Sequence, residues 1–183
     1  ASAVFQRYMK YQMTLAENIT ISDAEKPQPE SLAPLLLENG VDPGSDSFPQ
    51  GEQTMLSKEY DGVDLSGGQW QRIAIARGYY RDRWLMILDE PTAAIDPYEE
   101  SRIYHRFAAL SEGKSAVVVT HRLGSARLAD RILVLRQGEL VGSGTHESLL
   151  RECEEYRRLW QAQSKWYRKK EAAAPKSEEI AKL

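Results

Sequence analysis

This chain of 183 residues contains only one cysteine and has neither long apolar runs nor an excess of positive charge. Its single cysteine, Cys153, cannot form a disulfide within the chain and has no CxxC motif or Cys/His cluster around it. This usage is consistent with a reducing compartment and excludes a disulfide-stabilised scaffold. No apolar run approaches the roughly 20 residues that a membrane-spanning helix requires. The net charge of −3 gives no electrostatic argument for binding to nucleic acid, which requires a basic face.

The residues that are present describe a globular chain. Hydrophobic residues make up 42% and charged residues 28%, a balance that is typical of a folded domain and not of a disordered segment. The length is sufficient for one ordinary domain with a hydrophobic core, which could be divided into two lobes.

The stretch from Leu65 to Asp96 combines a turn, a helix and a strand. Its first part is a glycine-rich turn, Ser66 to Gln69 (the SGGQ turn), which leads directly into a predicted helix, Trp70 to Tyr80. A helix start presents unpaired backbone N–H groups and the positive end of the helix dipole, so this turn suits an anion such as phosphate. Taken alone, the turn would be interpreted as a helix start capped by Ser66, but that interpretation does not explain two glycines followed by Gln69 or the two carboxylates that come soon after.

A short apolar strand follows this helix and ends on two carboxylates. Trp84 to Leu88 is a continuous apolar run, as expected for a strand covered on both faces of a parallel sheet, and Asp89 and Glu90 come next. One carboxylate suits Mg²⁺, and a second beside it suits a water awaiting deprotonation. His121 follows a second buried strand, Ala116 to Thr120, which in a parallel sheet would end at the same edge. An anion site and a metal site together indicate nucleoside triphosphate chemistry.

Three motifs in this order resemble the ATPases of ATP-binding cassette (ABC) transporters: LSGGQWQRIAIAR, LMILDEPTAAID and VVVTHRL. The phrases GVDLSGGQWQR and GSGTHESLL are most similar to the cassettes of bacterial multidrug and peptide exporters. The resemblance covers most of the chain, from Ala1 to about Trp160. It implies a P-loop NTPase (RecA-like) fold, a three-layer α/β sandwich that is N-terminally truncated here and carries an inserted helical subdomain.

The resemblance also implies a division of the chain. Residues 1–6 are expected to form the end of a core strand and its glutamine, and residues 7–82 the helical subdomain with the SGGQ turn. Residues 83–152 are expected to form the catalytic α/β core, and residues 153–183 a C-terminal helix and tail.

In this family the core binds ATP with Mg²⁺ and hydrolyses it, and the resemblance assigns a role to each residue of the core site. Asp89 is expected to hold Mg²⁺, and Glu90 is expected to accept a proton from the attacking water. His121 is expected to steady the γ-phosphate, and Gln6 to complete the shell of the metal and the water.

The other side of the nucleotide is implied to come from a second copy of the domain. The SGGQ turn is expected to grip the γ-phosphate of ATP that the partner holds, so that ATP joins the two copies and hydrolysis releases them. Asp96, which precedes Pro97 and is also predicted to cap the next helix, is expected to lie at this dimer interface. The residues of the turn are Ser66, Gly67, Gly68 and Gln69.

The chain departs from the family in lacking its phosphate loop, G-x-x-x-x-G-K-[ST]. The Gly113-Lys114 pair is followed by Ser115, but Ala108 stands where the motif requires glycine, and the pair precedes a strand instead of following one. It is therefore predicted to be a turn. We expect the chain alone to bind ATP poorly and to hydrolyse little of it.

The expected partners are a second nucleotide-binding domain, identical or different, and a transmembrane domain that lies upstream in the same chain or in another chain. The implied location is the cytoplasmic face of the cell membrane. Residues Arg7 to Ile21 match the loop that meets the transmembrane domain in exporters. Tyr8, Met9, Tyr11 and Met13 therefore either contact that domain or pack into the helical lobe.

Two alternatives come from other functional classes. A non-transport ABC ATPase would be expected to carry long coiled coils or basic arms, and neither is evident in this sequence. A truncated, non-hydrolytic module would only lend its SGGQ turn to a partner. We take the exporter ATPase as the main hypothesis.

Overall fold

The computed structural model describes residues 1–27, 29–81, 83–90 and 97–173. The chain divides into two compact units, Ala1–Val119 and Thr120–Leu183. Among the described helices, none has the combination of length and apolar character that crossing a membrane demands.

The first unit contains a parallel three-stranded sheet. Its strands lie side by side in the order β1 (Ser2–Val4), β2 (Leu85–Asp89) and β3 (Ser115–Val119). Val4 lies opposite Leu88, and Asp89 lies opposite Val119. The three strands therefore end at one edge of the sheet. Because helices lie between consecutive parallel strands in the sequence, the predicted α/β class is confirmed.

The boundaries of β2 differ from the predicted ones by one residue. The apolar run predicted a strand from Trp84 to Leu88, whereas the strand begins at Leu85 and ends at Asp89. Asp89 joins the strand because it is paired with Val119. Trp84 is exposed, although its carbonyl accepts a hydrogen bond from the Ser115 N–H at 2.9 Å.

Three helices are inserted between β1 and β2, and a fourth lies between β2 and β3. They are α1 (Leu15–Thr20), α2 (Ala33–Glu38), α3 (Gly67–Tyr80) and α4 (Pro97–Leu110). Helices α1, α2 and α3 share a core cluster that includes Leu15, Ile19, Leu36 and Ile73. Nine of the fourteen residues of α3 are buried, as its apolar composition predicts.

Helix α1 begins with a capping box that fixes how the chain enters the helical lobe. The Thr14 N–H donates to Glu17 Oε2 at 2.9 Å, and the Glu17 N–H donates to Thr14 Oγ1 at 3.2 Å. The pKa of the Glu17 carboxyl is lowered mainly by the hydrogen bond from the Thr14 backbone N–H and secondly by the one from the Thr14 hydroxyl.

Gly78 lies where α3 packs closely on β1, and this position yields a stability prediction. A Cβ at Gly78 would lie 2.4 Å from Val4 Cγ2, and the Ser2 hydroxyl donates to the Gly78 carbonyl at 2.6 Å. Gly78→Ala is therefore expected to destabilise the protein by about 1–3 kcal/mol, the usual range for overpacking. The measurement is the midpoint of thermal or denaturant unfolding.

Gly124→Ala is the matched control for this substitution. A Cβ at Gly124, which also lies in a helix, meets nothing within 4 Å. Alanine there should leave the unfolding midpoint unchanged or raise it slightly, through helix propensity. Equal midpoints for the two variants would mean that α3 and β1 are not in close contact at Gly78.

The second unit pairs an antiparallel hairpin with three helices. The Gln137-Gly138 pair between two apolar runs predicts a two-residue hairpin turn, and φ values of 52° and 83° at these residues confirm it. The elements are α5 (Leu123–Ala126), β4 (Ile132–Arg136), β5 (Glu139–Gly144), α6 (His146–Glu152) and α7 (Glu154–Ala173).

The core of the second unit contains both Cys153 and Tyr156, and His146 lies against it. The sequence predicts a half-buried helix residue at Cys153, but Cys153 is buried, because it lies at the junction of α6 and α7. His146 Nδ1 lies 2.8 Å from the Tyr156 hydroxyl oxygen, and the imidazole packs edge-on against Trp160. A lone histidine in a sequence is usually structural, which predicts such a role for His146, and these contacts agree with that prediction.

Candidate functional site

Gln6 comes shortly after β1, Asp89 is the last residue of β2 and Glu90 follows it, so all three lie at one edge of the parallel sheet. Val4 pairs with Leu88, so the next two positions of each strand carry the chain past the same edge. Asp89 and Glu90 are half-buried, and Gln6 is exposed. We refer to this region as the acidic edge.

The backbone conformation of Glu90 is not predicted by the sequence around it. Its φ is 44°, in the left-handed region that residues with a Cβ seldom adopt. Its N–H donates to the Val119 carbonyl at 2.9 Å, so the ladder between β2 and β3 continues for one hydrogen bond while the chain turns away. Conformations of this kind cost on the order of 1 kcal/mol or more and are concentrated at functional sites.

The acidic edge offers oxygen ligands only. Within the part of the chain that the structure describes, no three His, Cys, Asp or Glu side chains are grouped to hold a metal ion. Mg²⁺ usually takes one or two carboxylates, and waters and substrate phosphates complete its shell. The oxygens of Asp89 and of the Gln6 amide are therefore of the kind that would hold a Mg²⁺ ion arriving with a nucleotide.

The SGGQ turn forms a complete capping box at the start of α3. The Gln69 N–H donates to Ser66 Oγ at 3.3 Å, and the Ser66 N–H donates to Gln69 Oε1 at 2.9 Å. The other atom of the Gln69 amide, Nε2, donates to Ser47 Oγ at 3.2 Å. The prediction of Ser66 as the N-cap is confirmed. Both polar atoms of the Gln69 side chain are engaged, Oε1 in the cap and Nε2 with Ser47.

The outer face of the SGGQ turn is open. Ser66 and Gly67 are exposed, and a Cβ at Gly67 would meet nothing within 4 Å. An anion brought by another molecule can therefore approach the positive end of α3.

The loop after Gln6 packs largely into the helical lobe. Tyr8 is half-buried against the core cluster of that lobe, and the guanidinium of Arg77 lies 4.7 Å from the centre of the Tyr11 ring. Met13 is half-buried, and its carbonyl accepts from the Leu56 N–H at 3.0 Å. Met9 differs, because 65% of its surface is exposed. Of the four candidate contacts with a transmembrane domain, Met9 is the one that this packing leaves accessible.

His121 belongs to the second unit and comes two residues after the end of β3. Its side chain is exposed, and its carbonyl accepts from Gln163 Nε2 of α7. Gln163 Oε1 accepts from the Leu123 N–H at 2.9 Å, so one amide holds the backbone on both sides of Arg122. No motif singled out Gln163. The predicted interface residue Asp96 lies outside the described residues.

Comparison with known proteins identifies a matching family model and similar proteins. A family model described as "ABC transporter" matches residues 2–93. The subtilin transport ATP-binding protein SpaT of Bacillus subtilis is 43% identical over 160 residues, which cover 86% of this chain and 26% of that protein. The nisin transport ATP-binding protein NisT of Lactococcus lactis subsp. lactis is 37% identical over 164 residues, 87% of this chain and 27% of that protein.

A solved structure is similar as well. A bacterial Atm1-family ABC exporter with ATP bound has a TM-score of 0.78 and 28% sequence identity. The similarity covers 89% of this chain and 28% of that exporter. The chain thus spans about a quarter of the length of the curated relatives it matches.

Proposed function

This chain belongs to the ABC transporter family, and from that membership we propose that it forms the larger part of an ATP-hydrolysing domain that drives export. The relatives named for subtilin and nisin transport support this proposal, as does the ATP-bound exporter. The observation that carries it is the common edge at which β1, β2 and β3 end. Gln6, Asp89 and Glu90 all come at the ends of strands at this edge, which supports a site there for a nucleotide with its metal.

The chemistry at this edge is the transfer of the γ-phosphoryl group to water. Such a transfer depends mainly on positioning and on the neutralisation of charge. Glu90 accepts the proton of the attacking water, and its turned, hydrogen-bonded backbone fixes where the carboxylate begins. Asp89 and Gln6 hold Mg²⁺, which neutralises charge on the phosphates when it is bound. His121 contacts the γ-phosphate and helps to orient the water.

The SGGQ turn acts on the nucleotide of a partner. Its open outer face supports this assignment, because the capping box already supplies the internal contacts of the turn. Asp96 lies at the interface between the two copies. In this proposal the full-length protein supplies the phosphate loop and a transmembrane domain, and the present domain works at the cytoplasmic face of the membrane.

The role of His121 is tested by His121→Ala in the full-length protein. Loss of one hydrogen bond to a charged phosphate should lower the rate of Mg²⁺-dependent ATP hydrolysis by about 10- to 100-fold. The measurement is the steady-state turnover rate of the purified protein.

His105→Ala is the matched control, because His105 is an exposed histidine on α4 that the proposal does not use. Its turnover should equal that of the unsubstituted protein. If His121→Ala stays within about twofold of His105→Ala, far less than a hydrogen bond to a charged group contributes, the role given to His121 is wrong.

A further inference from the structure

Two contacts to α3, with residues that lie ten positions and so about 15 Å apart along the helix axis, hold the loop that follows Gln6 (the Gln6 loop, residues 6–14). At the start of the helix, the Tyr8 hydroxyl donates to the Gly67 carbonyl at 2.8 Å. In its last turn, Arg77 Nη1 donates to the Met9 carbonyl at 3.1 Å. Two separated contacts fix both the position and the direction of the loop along the helix.

The contact at Arg77 is part of a partly buried hydrogen-bond network. Arg77 Nε donates to the Asn18 carbonyl at 2.7 Å, and Nη2 donates to Asn18 Oδ1 at 2.9 Å. Asn18 is fully buried, and its amide donates in turn to the carbonyls of Tyr11, Met13 and Thr14 at 3.0–3.2 Å. Burial lowers the pKa of Arg77, and the nearby Tyr11 partly opposes this. The Gln6 loop is therefore wrapped around a polar centre that α1 and α3 share.

The contact at Tyr8 joins the two functional parts of the chain. Its acceptor, Gly67, is a residue of the SGGQ turn, and Gln6 at the acidic edge is only two positions away from Tyr8. Burial raises the pKa of Tyr8, so the phenol keeps its proton and donates at neutral and moderately alkaline pH. A single short segment thus reaches the residues that face this chain's own nucleotide and the turn that faces the partner's nucleotide.

We propose that Tyr8 is a positioning residue that couples Gln6 to the SGGQ turn, so that ATP in one site sets the position of the turn that closes the other. The inference rests on the proposed function and adds a path to it. The hydrogen bond from the Tyr8 hydroxyl links the position of the Gln6 loop to that of the SGGQ turn. The contact from Arg77 holds the loop at a fixed position along α3.

Tyr8→Phe in the full-length protein tests the coupling, because it removes the hydroxyl and keeps the ring in the core. Loss of one hydrogen bond that positions the turn should lower kcat for ATP hydrolysis by about three- to tenfold. KM for ATP should change by less than about twofold, because Tyr8 is not among the residues proposed to contact the nucleotide. The matched control is Tyr60→Phe, which removes a hydroxyl from a tyrosine of the same unit that is 59% exposed.

Because Tyr8→Phe loses one hydrogen bond of the folded state, it should unfold a few degrees below Tyr60→Phe, and kinetics measured well below both unfolding temperatures separate positioning from stability. A kcat for Tyr8→Phe equal to that of Tyr60→Phe, or an increase in KM alone, would overturn the coupling. Arg77→Lys is a second probe that keeps the charge and loses the forked contacts, with Arg72→Lys on the same helix as its control. It should also lower kcat without raising KM, and unchanged kinetics would count against the register role of Arg77.

Glu90→Gln, measured alongside, distinguishes the two levels of failure. If Glu90→Gln still hydrolyses ATP at the normal rate, the catalytic role proposed for Glu90 fails, and if the unsubstituted full-length protein hydrolyses no ATP, the proposed function itself fails. If Glu90→Gln is inactive and Tyr8→Phe behaves like Tyr60→Phe, only the coupling fails.

Discussion

Glu90→Gln in the full-length protein is expected to leave ATP binding intact and to lower hydrolysis by about 10²- to 10⁴-fold, the range for a lost general base. Glutamine has nearly the same size and shape as glutamate but cannot accept the proton of the attacking water. The hydrogen bond to the Val119 carbonyl comes from the backbone of residue 90, so the substitution preserves it. The measurements are steady-state turnover and equilibrium binding of ATP.

Glu112→Gln is the control for this change, because Glu112 is an exposed carboxylate in the same unit, away from the acidic edge. It should hydrolyse ATP at the normal rate. Because Glu90→Gln removes turnover and keeps binding, it should also accumulate as an ATP-bound dimer. A Glu90→Gln protein that turns over ATP nearly as fast as Glu112→Gln would show that another group accepts the proton.

Gly67→Asp is expected to have an effect of similar size through the opposite half of the site. Within the chain the substitution is tolerated, because a Cβ at Gly67 meets nothing within 4 Å. A carboxylate in the first turn of a helix is even favourable, by about 0.3–1 kcal/mol. The unfolding midpoint should therefore be unchanged or slightly higher.

The same carboxylate would face the partner's γ-phosphate. Two like charges about 4 Å apart repel by about 4 kcal/mol at an effective dielectric constant of about 20, which corresponds to roughly 10³-fold in rate. Gly67→Asn is the matched control, since it adds a side chain of the same size without the charge. Hydrolysis should fall much further for the aspartate than for the asparagine. Equal rates would contradict the assignment of the SGGQ turn as a phosphate site.

Features that depend on neighbouring residues in the sequence were predictable. The Ser66 cap, the Gln137-Gly138 turn and the buried character of α3 each follow from local residue types, and the structure contains all three. The ends of β2 were displaced by one residue, because the partner strand decides which residues pair.

Features that depend on residues far apart in the sequence were not predictable. The φ of Glu90 accompanies a hydrogen bond to Val119, and nothing near Glu90 in the sequence specifies that partner. Tyr8 and Gly67 are 59 positions apart, and Gln163 and His121 are 42 apart. These contacts arise from packing, so they become visible only in three dimensions.

In the proposed mechanism, the SGGQ turn of one copy and Glu90 of another copy act on the same nucleotide. Two mixed dimers of the full-length protein, each isolated through two different affinity tags, test it. The first joins a Gly67→Asp copy to a Glu90→Gln copy. The second joins a copy with both substitutions to an unsubstituted copy.

If the two halves of each site come from different copies, the first dimer keeps one intact site and the second keeps none. We therefore predict that the first dimer hydrolyses ATP and that the second does not. Hydrolysis by the second dimer and none by the first would place both halves in the same copy and contradict the account.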